Sequence, residues 1–171
     1  MKFSVTREAL LRPLTIVAGA VERRQTMPIL SNLLIIVSGN KLVITGTDLE
    51  VELSATIALD TAAEVNGDIT VPARKLVDIC KSLPDDCDIA FAVDQGKAVV
   101  KSGRSRYTLA TLPAADFPSV QKDESSFSAT VNQGDFAQLI DRTAFSMAQQ
   151  DVRYYLNGML WELSGNKLKA V

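Results

Sequence analysis

The 171-residue chain has no histidine, only two cysteines, and an aromatic content of 6%. The absence of histidine excludes Ser-His and Cys-His nucleophile pairs, histidine-ligated metal sites and the most common general base. Two cysteines without histidine cannot complete a structural zinc site either. The sequence therefore offers little support for an enzyme of any of these classes.

The chain also lacks a long apolar run. Its longest uncharged stretch, residues 25–40, has 16 residues and contains Pro28, so it is too short and too polar to cross a bilayer. The N-terminus does not resemble a signal peptide. Cys80 lies in the helical pattern LVDICKSL and is predicted to be a buried structural thiol, whereas Cys87 lies in an acidic turn. We therefore expect a cytoplasmic protein in a reducing compartment.

Basic and acidic residues nearly cancel, with 18 Lys and Arg against 20 Asp and Glu. The charges are nevertheless segregated along the chain. Residues 6–24 and 72–82 are predicted to be mainly helical and each carries a net charge of +2, whereas residues 48–52 and 85–88 concentrate acidic side chains. Basic helical faces can bind phosphates, although solvated helix faces would give the same pattern.

An internal repeat indicates how the chain is organised. The string SGNKL occurs at residues 38–42 and again 126 positions later, and a gapless extension pairs residues 3–45 with residues 129–171. A weaker echo inside the first copy places another strand followed by a helix near residues 69–82. These patterns predict an α+β fold, in which a strand, a helix and a meander of strands form a unit used twice in a first domain. A polar stretch near residues 119–126 marks the predicted boundary.

Helical periodicity predicts three amphipathic helices. The first runs from Thr6, a suitable N-cap, to Val21; the second begins at Pro72; and the third runs from Asn132 to Met147. In the repeat, the third helix would have only half of its packing partners, because the first copy uses residues 46–118 to complete its fold. A strand is expected just before the third helix.

Alternation predicts a strand in which Asp48, Glu50 and Glu52 share one face. Such carboxylates can bind a metal, so a carboxylate-metal enzyme such as a nuclease remains an alternative, although a solvated strand face is the more common meaning. Residues 101–109 are predicted to form another strand, with Arg104 and Arg106 on one face. An exposed basic edge strand could pair with an acidic partner, which leaves a protein-interaction module as a further alternative.

The repeat places Arg24 and Gln150 at equivalent positions in two loops. Both side chains are long hydrogen-bond donors of the kind that contact phosphate and sugar without reading sequence. Tyr154 and Tyr155 offer flat surfaces for stacking on an unpaired base. If they lie on a strand, one is expected to be buried and the other exposed.

Four long strings resemble the bacterial sliding-clamp family, the beta subunit of DNA polymerase III. They are TMPILSNLL (26–34), TVPARKLVDIC (70–80), SGRSRYTLATLPAADFP (102–118) and FSMAQQDVRYYLNGML (145–160). The resemblance implies a fold of three similar domains per chain, with helices inside and sheets outside, and two chains closing head to tail around duplex DNA. Residues 1–120 resemble the first domain and residues 121–171 the opening half of the second. The third domain is missing, so we expect the chain to be truncated.

The resemblance also implies functional residues and partners. The implied activity is that of a non-catalytic processivity factor without cofactor or metal, and a membrane is not among its partners. The implied partners are duplex DNA, a second copy in the homodimeric ring of the full-length protein, and the polymerase III alpha subunit and clamp loader, which bind through short linear motifs. The implied DNA contacts are Arg24, Arg74, Gln150, Tyr154 and Tyr155; the subunit interface is Lys75, Arg104, Arg106, Tyr107 and Leu109; and the partner-motif pocket includes Arg153 and Leu156.

Overall fold

The computed structural model describes residues 1–21, 27–118 and 129–171. The chain divides into two compact units, Met1–Gln121 and Lys122–Val171. The predicted boundary stretch at residues 119–126 lies outside the described residues. Each unit is described by itself below.

The first unit contains two helices and eight strands in its described part. The helices are α1 (Arg7–Val17) and α2 (Ala73–Ser82). The strands are β1 (Lys2–Thr6), β2 (Asn32–Ser38), β3 (Lys41–Thr47), β4 (Glu52–Ala58), β5 (Gly67–Pro72), β6 (Asp88–Asp94), β7 (Lys97–Ser102) and β8 (Ser105–Ala110).

The eight strands form two four-stranded antiparallel sheets that exchange their first strands. The sheet orders are β1-β6-β7-β8 and β4-β3-β2-β5. Each half of the unit follows the order strand, helix, three-stranded meander, but β1 pairs with β6 of the second half, with Phe3 opposite Phe91. Reciprocally, β5 pairs with β2 of the first half, with Ile69 opposite Ile35. The predicted α+β fold with a unit used twice is confirmed.

Both helices bury one face in a common core. Helix α1 buries Leu10, Leu14 and Val17, and the apolar face of α2 lies in the same cluster. Cys80 is fully buried on α2, which confirms the prediction of a structural thiol. Burial raises the pKa of Cys80 to about 11, so the thiol stays protonated and unreactive at neutral pH.

The ends of α1 are set by local hydrogen bonds. The Thr6 hydroxyl accepts a hydrogen bond from the Ala9 N–H at 3.3 Å, as predicted for an N-cap. The helix ends at Val17 rather than Val21, and a 3-10 turn follows at Ala18–Ala20, where Gly19 has low helix propensity.

Two predicted strands are interrupted by turns. Asp48, Glu50 and Glu52 do not share a strand face, because the Asp48 carboxylate accepts hydrogen bonds from the Glu50 and Val51 N–H groups at 2.9 and 2.7 Å and closes a turn between β3 and β4. The single strand predicted over residues 101–109 is divided, because residues 101–102 belong to β7 and residues 105–109 to β8. Residues 103–104 form a turn between β7 and β8, where Gly103 has a φ of 55°.

The second unit repeats the opening elements of the first. It contains α3 (Gln133–Asp141), β9 (Trp161–Ser164), β10 (Lys167–Ala170) and 3-10 turns at Ala144–Ser146 and Tyr154–Leu156. A shift of 126 positions in the sequence aligns the start of α3 with that of α1 and the start of β10 with that of β3. It also aligns the 3-10 turn at Ala144–Ser146 with the one at Ala18–Ala20. The repeat is therefore structural.

Two details of the second unit differ from prediction. No strand forms at residues 129–132, since β1 of the first unit needs β6 as its partner and residues 129–171 contain no equivalent of β6. Helix α3 ends at Asp141, short of Met147. Phe136 stacks on Trp161 with 5.1 Å between ring centroids, yet no side chain within residues 129–171 is fully buried.

Candidate nucleic-acid and subunit interfaces

A cleft between the end of α1 and the start of α2, called the helix groove here, carries a cluster of cations. It has a volume of about 570 Å³. Small residues of the 3-10 turn at Ala18–Ala20 form one wall, and Arg74, Lys75 and Lys81 of α2 line the other. Asp78 is the acidic residue among them. The groove is therefore a net basic cleft bounded by the 3-10 turn that follows α1 and by α2.

Helical spacing explains why these cations lie together. Arg74, Asp78 and Lys81 follow one another at intervals of four and three residues, which places them on one face of α2. The opposite face is anchored in the core by buried Leu76 and Cys80. Arg74, Lys75 and Lys81 make no salt bridge with any described residue. Their charges are thus available to a polyanion.

Other cations from the sequence prediction are placed differently. Arg24 lies outside the described residues. Arg7 is engaged in the fold: its Nε donates to the Cys80 carbonyl at 2.8 Å, and its guanidinium pairs with Asp85. Arg7 therefore ties the start of α1 to the end of α2 and is not free to bind phosphate.

A second cleft, called the edge groove here, lies between α2 and β8 and has a volume of about 680 Å³. It brings together Lys75, Arg106, Tyr107 and Leu109, four of the five residues predicted for the subunit interface. The fifth, Arg104, lies in the turn before β8. β8 ends its sheet, with β7 as its neighbour.

Side chains alternate along β8 and divide the roles of these residues. Tyr107 and Leu109 face the core, where Leu109 is 5% exposed and Tyr107 packs half-buried against the cluster. Arg106 is exposed and lies opposite Lys101 of β7, so two like charges stand side by side. The edge groove thus combines an apolar floor with a net basic rim, in which Arg74, Lys75 and Arg106 outnumber Asp78.

In the second unit, the segment of residues 148–157 presents both predicted tyrosines to solvent. Tyr154 and Tyr155 are 86% and 77% exposed. The expectation that one would be buried is wrong, because the pair lies on a 3-10 turn rather than a strand. Gln150, the other predicted contact of this segment, has a φ of 60°, which is uncommon for a residue with a side chain.

The two residues predicted for the partner-motif pocket lie on the same segment. Arg153 donates through Nε and Nη2 to the two carboxylate oxygens of Asp151, at 3.1 and 3.0 Å. These hydrogen bonds lower the pKa of Asp151 and raise the pKa of Arg153. Leu156 is half-buried, and its carbonyl accepts the Ala148 N–H at 2.8 Å.

Sequence reasoning did not single out Asp151 or Asn157, although they organise this segment. The Asn157 Oδ1 accepts the Asp151 N–H, and the Asn157 Nδ2 donates to the Asp151 carbonyl, both at 2.9 Å. Asp and Asn residues often close turns in this way, so their short spacing was the available signal.

Within the described ranges, no three His, Cys, Asp or Glu side chains are grouped closely enough to hold a metal ion. No helix in the same ranges is long and apolar enough to cross a membrane.

Comparisons with known proteins extend over the whole chain. Residues 1–121 match the family model of the DNA polymerase III beta subunit, N-terminal domain, and residues 130–171 match that of the central domain. The beta sliding clamps of Pseudomonas putida and Escherichia coli are 60% and 51% identical over all 171 residues. The chain covers 46% of the length of each of these relatives.

Solved structures show the same relationship. The DNA polymerase III subunit beta from Pseudomonas aeruginosa superimposes with a TM-score of 0.95 at 58% identity, over 99% of this chain and 46% of the other. The pol III beta of Caulobacter crescentus gives a TM-score of 0.88 at 40% identity, also over 99% and 46%. The expected sliding-clamp fold is thereby confirmed. The chain belongs to the DNA polymerase III beta subunit family, the bacterial sliding clamps.

Proposed function

We propose that this protein acts as a DNA sliding clamp, a processivity factor that encircles duplex DNA and tethers the replicative polymerase. Residues 1–120 serve as the first clamp domain and residues 121–171 as the opening half of the second. The observation that carries the proposal is the helix groove, where three cations without a described partner line one helix. Such contacts hold phosphates without reading bases and exchange easily, as sliding requires.

The proposed DNA contacts are Arg24, Arg74, Gln150, Tyr154 and Tyr155. Arg74 is supported by its place in the helix groove. The two tyrosines are supported by their exposure, which leaves their rings accessible for stacking on an unpaired base. No catalytic step is proposed for the protein.

The edge groove supports a proposed subunit interface at Lys75, Arg104, Arg106, Tyr107 and Leu109. An open strand edge beside a basic rim favours a partner edge that carries carboxylates. We propose that this partner is the third domain of a second copy of the full-length protein, so that two full-length copies form a homodimeric ring and the 171-residue chain alone does not. Arg153 and Leu156 are proposed to contribute to the pocket for short linear motifs of the polymerase alpha subunit and the clamp loader.

DNA binding by the helix groove can be tested with Arg74→Ala in the 171-residue chain. Fluorescence anisotropy with a labelled duplex should show binding that weakens roughly two- to fivefold, with the slope of log K against log salt reduced by about one unit. Lys97→Ala is the matched control, because it removes one exposed positive charge from β7. Equal losses in both variants would show that only net charge matters and would refute the assignment.

The topological part of the proposal has a separate test. A ring of the full-length protein should remain on closed circular DNA through gel filtration and should leave linear DNA through its ends. Equal retention on both forms would contradict encirclement.

A further inference from the structure

The segment of residues 148–157 has a defined conformation although it lacks long regular structure. Its ends are joined by the hydrogen bond from the Ala148 N–H to the Leu156 carbonyl at 2.8 Å. Its interior is fixed by two side chains, Asp151 and Asn157, which bond mainly to the backbone. The tyrosines that it carries are nearly fully exposed, so packing of their rings does not hold it in place.

The amide of Asn157 acts as a two-way clasp on Asp151. It accepts the Asp151 N–H and donates to the Asp151 carbonyl, each at 2.9 Å. The carboxylate of Asp151 in turn accepts the Arg153 N–H at 2.8 Å and both guanidinium contacts from Arg153. Asp151 therefore makes hydrogen bonds through its backbone N–H, its backbone carbonyl and its side-chain carboxylate.

This clasp lies immediately beside the proposed contact residues. Gln150 precedes Asp151 and has a φ of 60°, a sparsely populated conformation that persists only when its surroundings impose it. Tyr154 and Tyr155 follow Arg153 on the 3-10 turn. Asp151 therefore directly follows Gln150, and Asp151 and Asn157 together flank Tyr154 and Tyr155 in the sequence.

The first copy of the repeat does not carry the same residues. A shift of 126 positions places Gln25 opposite Asp151 and Ser31 opposite Asn157. The Asp and Asn residue types that form the clasp are thus found in the second copy of the sequence, together with the two tyrosines.

We propose that Asn157 and Asp151 are positioning residues, which hold Gln150, Tyr154 and Tyr155 in the conformation that contacts DNA. The inference rests on the proposed function, because it assumes that this segment binds DNA. A clasp formed before binding removes the entropic cost of ordering the segment on the nucleic acid. The tyrosine rings then meet an unpaired base next to the duplex without rearrangement.

The test compares Asn157→Ala with Asn132→Ala in the 171-residue chain. Asn132 is a matched control, because its Oδ1 also makes two hydrogen bonds to the backbone of the second unit, to the Gly134 and Asp135 N–H groups at 2.8 and 3.3 Å. Hydrogen exchange reports where each variant loosens the structure. We expect Asn157→Ala to lose amide protection at residues 148–157 and Asn132→Ala to lose it at the start of α3.

Binding is measured by anisotropy on a duplex with a short single-stranded overhang and on a blunt duplex. Asn157→Ala should weaken binding to the overhang DNA roughly three- to tenfold, the effect of about one well-placed hydrogen bond. The salt slope should not change, because no charge is removed. Asn132→Ala should bind as the wild type does.

Tyr154→Ala separates the two ideas under test. If Tyr154→Ala weakens binding while Asn157→Ala loosens the segment without changing affinity, the positioning role is overturned and the DNA contact stands. If Asn132→Ala weakens binding as much as Asn157→Ala, the effect is one of general stability and the positioning role is likewise overturned. If the chain binds no DNA, or Tyr154→Ala has no effect, the proposed contact fails at this segment and the inference fails with it.

Discussion

Gly46 is the glycine at which the structure tolerates one additional carbon least. It lies buried on β3, and a Cβ built there would stand 2.8 Å from the Val17 carbonyl oxygen, 2.9 Å from the Leu33 Cδ2 and 3.2 Å from the Val17 Cγ1. The first contact is the decisive one, because a backbone oxygen at the end of α1 cannot rotate away as a flexible side chain can. Gly46→Ala must therefore move α1 away from the sheet.

Overpacking of this kind costs about 1–3 kcal/mol, and the backbone contact places Gly46→Ala at the upper end of that range. For a chain of this length, a loss of about 3 kcal/mol corresponds to a fall in Tm of roughly 6–12 °C. Urea and thermal unfolding followed by circular dichroism would measure it. Gly19→Ala is the control, since no heavy atom lies within 4 Å of its added Cβ; it should be neutral or stabilising by up to about 1 kcal/mol. A Gly46→Ala protein as stable as wild type would refute the packing described for α1.

Four further outcomes are expected. Because burial raises the pKa of Cys80 from 9.0 to about 11, the unfolded chain ionises first, and stability should fall between pH 9 and 11 by up to about 1.4 kcal/mol per pH unit; Cys80→Ala should remove that component in urea unfolding, and an unchanged pH dependence would contradict it. Arg7→Met should destabilise the chain by about 1–2 kcal/mol, because it removes the bond to the Cys80 carbonyl. Asp85→Asn should lower the free energy of unfolding by less than about 1 kcal/mol, since the Asp85 side chain is 87% exposed. Equal losses of stability in Arg7→Met and Asp85→Asn would contradict the larger role given to the hydrogen bond with the Cys80 carbonyl. With added Mg²⁺ or Mn²⁺ the chain should leave DNA uncleaved on a gel, because the Asp48 carboxylate is used in closing a turn; metal-dependent cleavage would restore the nuclease alternative.

The sequence predicted those features that depend on neighbouring residues and on the repeat. The Thr6 N-cap, the buried thiol of Cys80 and the strand-helix unit used twice could be inferred because helical periodicity and capping are local properties. The exchange of β1 and β5 between the two sheets could not be inferred, because strand partners in a sheet are chosen by contacts distant in sequence.

The errors in the site have a common cause. Alternation predicts a continuous strand at residues 48–52 and at residues 101–109, whereas a side chain closes a turn at the first site and a glycine at the second. The Asp48 carboxylate accepts hydrogen bonds from two backbone N–H groups, and Gly103 adopts a left-handed backbone conformation. The chain therefore reverses direction at both sites, where alternation predicts an extended strand. The side-chain clasp between Asp151 and Asn157 was missed because hydrogen-bond partners are not visible as a periodic pattern.

The exchange of first strands between the two sheets has a consequence for how such a domain arose. A half-unit alone would carry a strand, a helix and a three-stranded meander whose open edge lacks the strand that completes it. Two identical half-units would satisfy each other by swapping these strands, which is a low-cost route to a symmetric dimer. Gene duplication and fusion of such a dimer would give a single chain with pseudo-two-fold symmetry. The same interlocking means that removing either half of the first unit leaves the other half's sheet without its fourth strand.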